Sequence, residues 1–106
     1  MREFFKHLFQ KQKNDIDSYQ YKGAEDIILT CSVLRGYNRH DDAINLYEKH
    51  ENEIENSDYE IVGLTTIIKI CQESFDTPKM LKYANKLKNL APDHPWIIEL
   101  SKHQEF

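Results

Sequence analysis

Apolar residues recur three or four positions apart along most of the chain, which is the spacing of amphipathic helices. The pattern predicts helices over 23–35, 39–55, 58–75 and 78–91, and a shorter one after Pro95. Gly36 ends the first of these, because glycine readily takes the backbone conformation found at a helix C-terminus. The chain is therefore predicted to be all-α.

The third segment is predicted to be the central helix, because its apolar positions continue over about four turns. These positions are Ile61, Leu64, Ile67, Ile68, Cys71 and Phe75. Ser57 and Glu60 have the spacing of a capping box, which places a helix start at Asp58. Thr77 and Pro78 predict the next start, with Thr77 as N-cap and Pro78 in the first helical position.

Short connections join these segments, so successive helices should run nearly antiparallel and form stacked hairpins of about five to six helices. Helix 39–55 is expected to pack mainly on the helices at 24–35 and 58–75. The chain of 106 residues fits one domain. We expect this helical domain over 23–106, preceded by an amphipathic helix and a linker over 1–22.

The N-terminal segment presents four apolar residues on one narrow face, opposite basic residues. They are Phe4, Phe5, Leu8 and Phe9. Exposed aromatics in such number normally mark a contact. The expectation is docking onto the segment's own domain or self-association with a second copy, with weak binding to an anionic membrane surface as an alternative.

Composition and motifs exclude several functional classes. A net charge of −4 argues against a dedicated nucleic-acid binder. No stretch is apolar enough to span a membrane, and the two cysteines lack the spacing of a metal site, so we expect a cytoplasmic protein with free thiols. The five histidines are scattered, no phosphate-binding loop is present, and no nucleophile motif occurs. We therefore predict no metal, no cofactor and no enzymatic activity.

Two of the predicted hairpins resemble tetratricopeptide repeats, whose 34-residue unit is a helix A followed by a helix B. In the first unit, Cys31, Leu34, Ala43 and Tyr47 match the family's pattern, and "DDAINLY" resembles its usual helix-B opening. "LKNLAPDHPW" resembles the repeat ending, with Trp96 starting the next helix. Equating Ala43 with Met80 gives a spacing of 37 instead of 34, and Ile68, His50 and Glu55 depart from the pattern. The resemblance implies a short superhelix of stacked hairpins.

In this family the A helices line a groove that binds an extended peptide or a partner helix. The groove-facing positions implied here are Glu25, Ile28, Ser32, Arg35, Val62, Thr65, Lys69, Gln72 and Glu73. Arg35 and Lys69 together could hold a carboxylate of the partner, or they are two solvated bases on a polar helix face. The expected function is a protein–protein interaction module that binds a partner protein or peptide.

An alternative function comes from the charge distribution. Residues 41–60 carry eight acids and a single base, Lys49. A small acidic helical protein of this kind could act as an inhibitor or immunity-type protein that covers a basic site on its partner, with charge steering the encounter. In that case binding would depend on Glu51, Glu55 and their neighbours and would weaken steeply with salt.

Overall fold

The computed structural model describes residues 13–103, and every regular element in that range is a helix. The helices are α1 (Lys13–Ser18), α2 (Ala24–Gly36), α3 (His40–Lys49), α4 (Glu51–Glu55), α5 (Glu60–Glu73), α6 (Thr77–Leu90) and α7 (Pro95–His103). The predicted all-α class is confirmed. The predicted N-terminal helix with Phe4, Phe5, Leu8 and Phe9 lies outside the described residues.

The helices form two antiparallel hairpins, α2 with α3 and α5 with α6, and α7 follows and contacts α6. Helix α5 is central, as predicted, because it contacts α2, α3, α4 and α6. The stretch 39–54 packs on α2 and α5, which confirms its predicted neighbours. The largest side chains of the common core include Tyr47, Tyr83, Ile27, Leu34, Leu64, Ile67, Ile70 and Leu87.

The two hairpins repeat with the 37-residue spacing that the sequence indicated. Helices α2 and α5 are each followed, two positions after their last residue, by a residue with φ of 61°, Asn38 in the first hairpin and Phe75 in the second. Each end is closed by a pair of backbone hydrogen bonds. After α2, Asn38 N–H donates to Arg35 O over 3.0 Å and Arg39 N–H donates to Leu34 O over 2.8 Å. After α5, Phe75 N–H donates to Gln72 O over 3.2 Å and Asp76 N–H donates to Cys71 O over 2.9 Å. This is the Schellman arrangement, in which a left-handed residue reverses the chain and satisfies the last carbonyls.

Two predicted helix boundaries are wrong. Helix 39–55 is interrupted at His50, which separates α3 from α4. The capping box before α5 does not form: the Ser57 hydroxyl accepts from Tyr59 N–H over 3.1 Å and donates to Ile54 O, so the helix starts at Glu60 without a side-chain cap. Ser57 instead stabilises the turn that leads into the helix.

The ends of α5 and α6 also differ from the prediction. Asp76 is the N-cap of α6, since its carboxylate accepts the Lys79 N–H over 3.2 Å, and Thr77 is the first helical residue. Phe75 and Ile61, both assigned to the buried face of α5, are exposed. Phe75 lies beyond the helix end, and Ile61 in the first turn of α5 is 43% exposed.

The segment predicted as a linker contains α1. Ile16 on this helix is buried in the common core, and the Tyr21 hydroxyl donates to its carbonyl over 2.8 Å. The Tyr21 ring also meets the His50 ring edge to face at 5.5 Å. Across residues 13–103, every helix is too short or too polar to cross a lipid bilayer.

Candidate functional site

The predicted solvent face of α2 is exposed at Glu25 and Ser32 but not at Ile28. Ile28 is only 5% exposed and packs against α5 at Gly63, where its Cδ1 would lie 3.3 Å from an added Cβ. Leu29 is 46% exposed and occupies the outward position instead. Ile27, Ile28 and Leu29 are consecutive apolar residues, so periodicity alone could not choose between them.

Arg35 lies at the surface but is already occupied by a carboxylate of its own chain. Its Nε and Nη2 donate to the two oxygens of Glu73 over 2.8 and 2.6 Å. His40 also contacts the Glu73 carboxylate, with Nε2 2.9 Å from Oε1. The cluster joins the end of α2, the start of α3 and the end of α5. Arg35 therefore holds the hairpins together and does not act with Lys69 as a vacant carboxylate site.

The cluster of Arg35, His40 and Glu73 makes the Glu73 carboxyl group unusually acidic. The hydrogen bonds from Arg35 and then His40 lower the pKa of Glu73 from 4.5 to about 2. Because the folded-state pKa is lowered, the stabilisation is present above pH 4.5 and is lost as the pH falls towards about 2. We expect NMR titration of the Glu73 side chain to give a midpoint near the lower value. In Arg35→Gln the midpoint should rise, and an unchanged midpoint would contradict the assignment of Arg35 as the main cause.

A surface depression lies between α5 and α7. It has a volume of about 220 Å³ and is lined by Ile68, Lys69 and Gln72 of α5 and by Trp96, Glu99 and Leu100 of α7. Two predicted site residues, Lys69 and Gln72, therefore face the same cavity. Val62 and Thr65 lie closer to the start of α5 and do not line it, although Val62 is 52% exposed.

A second depression continues the first along α5 and α7. The two share Gln72, Glu99 and Leu100, and the second is also lined by Phe75, Thr77, Met80 and His103. We call the combined surface the trough. Trp96 and Ile68 lie at one end, Phe75 and Met80 lie at the other, and the shared residues lie in the middle.

The charged side chains of the trough differ in their pairing. Within residues 13–103, no carboxylate lies at ion-pair distance from the Lys69 ammonium. Glu99 faces the cavity from α7 and is 3.6 Å from Lys102 and 3.3 Å from His103 on its own helix. Lys69 is therefore the charge in the trough that a ligand could neutralise.

Trp96 is held at the mouth of the trough by the start of α7. Pro95 is the first helical residue, and the Trp96 backbone N–H donates to His94 Nδ1 over 3.1 Å. The indole ring stays 36% exposed while Ile97 beside it is buried. Sequence reasoning did not assign Trp96, Glu99 or Leu100 to the site; the available signal was Pro95, which marks a further helix after the second hairpin.

The acidic stretch is largely paired within the molecule. Glu51 accepts from the Tyr83 hydroxyl over 2.6 Å and from Lys86 over 2.8 Å. Lys86 also bonds Glu55, and Lys79 contacts Glu48 over 3.2 Å. Burial raises the pKa of Glu51, but the hydrogen bonds from Lys86 and Tyr83 outweigh it and lower the pKa. These pairs connect α3 and α4 to α6.

The possible metal-ligating side chains of the described residues do not converge on one point. Residues 13–103 contain no cluster of three or more His, Cys, Asp or Glu side chains suited to a metal ion. Cys31 and Cys71 are buried free thiols. Burial raises the pKa of Cys31 to about 12 and that of Cys71 to about 11, so both remain protonated at neutral pH.

Comparison with protein-family models, with curated proteins and with solved structures finds no match to this chain.

Proposed function

We propose that this protein is a protein–protein interaction module that binds an extended segment of a partner in the trough between α5 and α7. The observation that carries the proposal is the combination of a half-exposed indole, Trp96, and a cation outside any ion pair among the described residues, Lys69, in one cavity. An apolar cleft with a few polar groups is the usual form of a recognition site.

The chemistry of the trough indicates what the partner segment carries. Ile68, Trp96 and Leu100 provide an apolar floor and wall for one large side chain. Lys69 offers a charged donor and Gln72 offers an amide that can donate and accept. A segment with a carboxylate one or two residues from an apolar side chain would satisfy both regions.

We also propose that the hairpins are tetratricopeptide-like. Support comes from the equivalent left-handed turns at Asn38 and Phe75, which lie between the A and B helices of the two units, although their spacing of 37 residues is longer than the family's unit of 34. In this assignment α7 is the A helix of a third unit, so the trough lies between two consecutive A helices. A cytoplasmic location accords with two free thiols in the described residues.

The alternative function, an acidic inhibitor, draws less support. Its expected contact residues, Glu51 and Glu55, are bonded to Lys86 and Tyr83. A partner would have to break these internal bonds before using the same carboxylates. Asp41, Glu53 and Asp58 are the exposed acids of this stretch that have no Lys or Arg partner among residues 13–103.

The test is capture of partners from a lysate of the source organism with wild type, Lys69→Glu, Trp96→Ala and the matched control Lys22→Glu. Lys22 is an exposed lysine before α2 and lies outside the trough. We expect a partner that Lys22→Glu retains and that both trough variants bind about tenfold more weakly or worse, since a charge-assisted hydrogen bond contributes about 1.5–3 kcal/mol.

An acidic-face variant, Asp41→Lys/Asp58→Lys, completes the design. A partner lost only with this variant, and more easily at high salt, would replace the proposal with the inhibitor function. A partner retained by both trough variants would contradict the proposed site.

A further inference from the structure

Phe75 combines two costly features at one position. Its φ of 61° lies in the left-handed region, which strains a residue with a Cβ, and its side chain is 90% exposed. The equivalent turn in the first hairpin has Asn38, one of the residue types enriched in this conformation. Glycine would relieve the strain at Phe75, and any polar residue would avoid the exposed ring. Neither the turn conformation nor packing in the core explains why position 75 carries phenylalanine.

The structure also contains a cavity suited to such a ring. The Trp96 end of the trough has a volume of about 220 Å³ and is walled by Ile68, Trp96 and Leu100. An apolar cavity of about 150 Å³ is large enough to hold benzene. Phe75 cannot fill this cavity in its own chain, because it projects from the opposite end of the trough.

The charges beside the ring and the cavity are complementary. Asp76 follows Phe75 directly, and its carboxylate accepts a backbone N–H of α6 without an ion pair among residues 13–103. Lys69 on the cavity wall is likewise outside any ion pair in that range. The other charges nearby have partners within the chain: Arg35 pairs with Glu73, and Lys79 pairs with Glu48. Glu99, which also faces the cavity, contacts Lys102 and His103 on its own helix. An approaching Phe75 would therefore bring a carboxylate towards an ammonium.

We propose that two copies of this chain pair face to face through the trough, with Phe75 of each copy inserted into the Trp96 end of the other. Because the ring and the cavity lie at opposite ends of one surface, reversing the second copy end to end lets both insertions occur together. Such an interface uses the same patch on both copies and closes as a dimer. One aromatic anchor per copy makes a small interface, so the dimer should be concentration-dependent.

The primary test is sedimentation velocity of the full chain over a concentration series, for wild type and Phe75→Gly. Glycine removes the ring and suits the left-handed backbone, so this variant should fold at least as stably as wild type. We expect a wild-type dimer at high concentration and a dissociation constant at least tenfold larger for Phe75→Gly. The matched control is Leu29→Ser, which removes an equally apolar exposed side chain on α2 and should dimerise like wild type.

A second measurement tests the charge pairing. Asp76→Asn keeps a residue able to cap α6, and Lys69→Gln keeps a polar side chain on the cavity wall. Each should weaken the dimer, and the double variant should be no weaker than either single variant, because each single variant already removes both symmetry-related Lys69–Asp76 pairs. Fully additive losses would refute the Lys69–Asp76 contact.

A wild type that stays monomeric at every concentration, or a Phe75→Gly variant that dimerises as wild type does, would overturn the proposal. Either result leaves the proposed partner binding intact, because that binding is read from Lys69→Glu and Trp96→Ala in the capture experiment. If the dimer forms, its copies occupy the same trough as the partner. Phe75→Gly should then capture more partner than wild type at the same protein concentration, and reduced capture would count against the shared site.

Discussion

Replacing Gly63 with alanine should destabilise the fold by about 1–2 kcal/mol, although the same change in an open helix is stabilising. A Cβ at this position would lie 2.6 Å from Ile54 Cγ2, 3.3 Å from Ile28 Cδ1 and 3.3 Å from the Tyr47 hydroxyl. Ile54 is fully buried, and its β-branched side chain has little rotamer freedom to move away. The crowding therefore outweighs the better helix propensity of alanine.

The measurement is urea denaturation followed by circular dichroism, with Gly36→Ala as the matched control. Gly36 is the last residue of α2, and an added Cβ there meets no atom within 4 Å. We expect this control to match or slightly exceed wild-type stability. Unfolding of Gly63→Ala and Gly36→Ala at the same urea concentration would contradict the close approach of α5 to α2 and α4 at Gly63.

Tyr47 and Tyr83 are buried, and their rings meet edge to face with centroids 5.4 Å apart. The Tyr47 hydroxyl is buried and has no hydrogen-bond partner among the described residues. Phenylalanine at this position should raise the free energy of unfolding by about 1 kcal/mol, because it removes an unsatisfied buried polar group. The ring and its packing are retained.

The same substitution at Tyr83 should have the opposite sign. The Tyr83 hydroxyl donates to Glu51 over 2.6 Å, and Glu51 also binds Lys86. Tyr83→Phe removes one bond to a charged acceptor, so we expect a loss of about 1–2 kcal/mol. Urea denaturation of both variants checks the pair. Equal changes in the same direction would show that hydrogen bonding of the two hydroxyls does not distinguish these sites.

Several features followed from sequence because they depend on local periodicity. Apolar spacing located α2, α3, α5, α6 and α7 and made α5 the central helix. The 37-residue offset between Ala43 and Met80 is also the offset between the two left-handed turns. Local boundaries were less predictable. Ser57 has a side chain suited to capping, but its hydroxyl accepts from Tyr59 N–H in the turn before α5. At the start of α6 the cap is Asp76 and not the neighbouring Thr77, because the Asp76 carboxylate accepts from Lys79 N–H.

The candidate site could be predicted only in part. Lys69 and Gln72 were assigned to a groove, and both line the trough. Their neighbours Trp96, Glu99 and Leu100 come from a helix whose approach to α5 depends on how the second hairpin packs. Arg35 and Lys69 were predicted as a possible joint site for a carboxylate of the partner. In the structure, Arg35 instead binds the carboxylate of Glu73, which lies one turn after Lys69. The residue pattern along the chain does not show whether the Arg35 guanidinium binds a carboxylate of its own chain or one of a partner.

The sequence by itself determined the helical class, the antiparallel order of the hairpins and the identity of most of the core, because each follows from apolar spacing and short connections. The tertiary structure alone decided that Ile28 points inward and Leu29 outward, that Arg35 is occupied, and that Phe75 is exposed beside a cavity it cannot fill. These outcomes depend on the distances between helices. Close packing at Gly63 and the ion pairs between the helices together determine those distances.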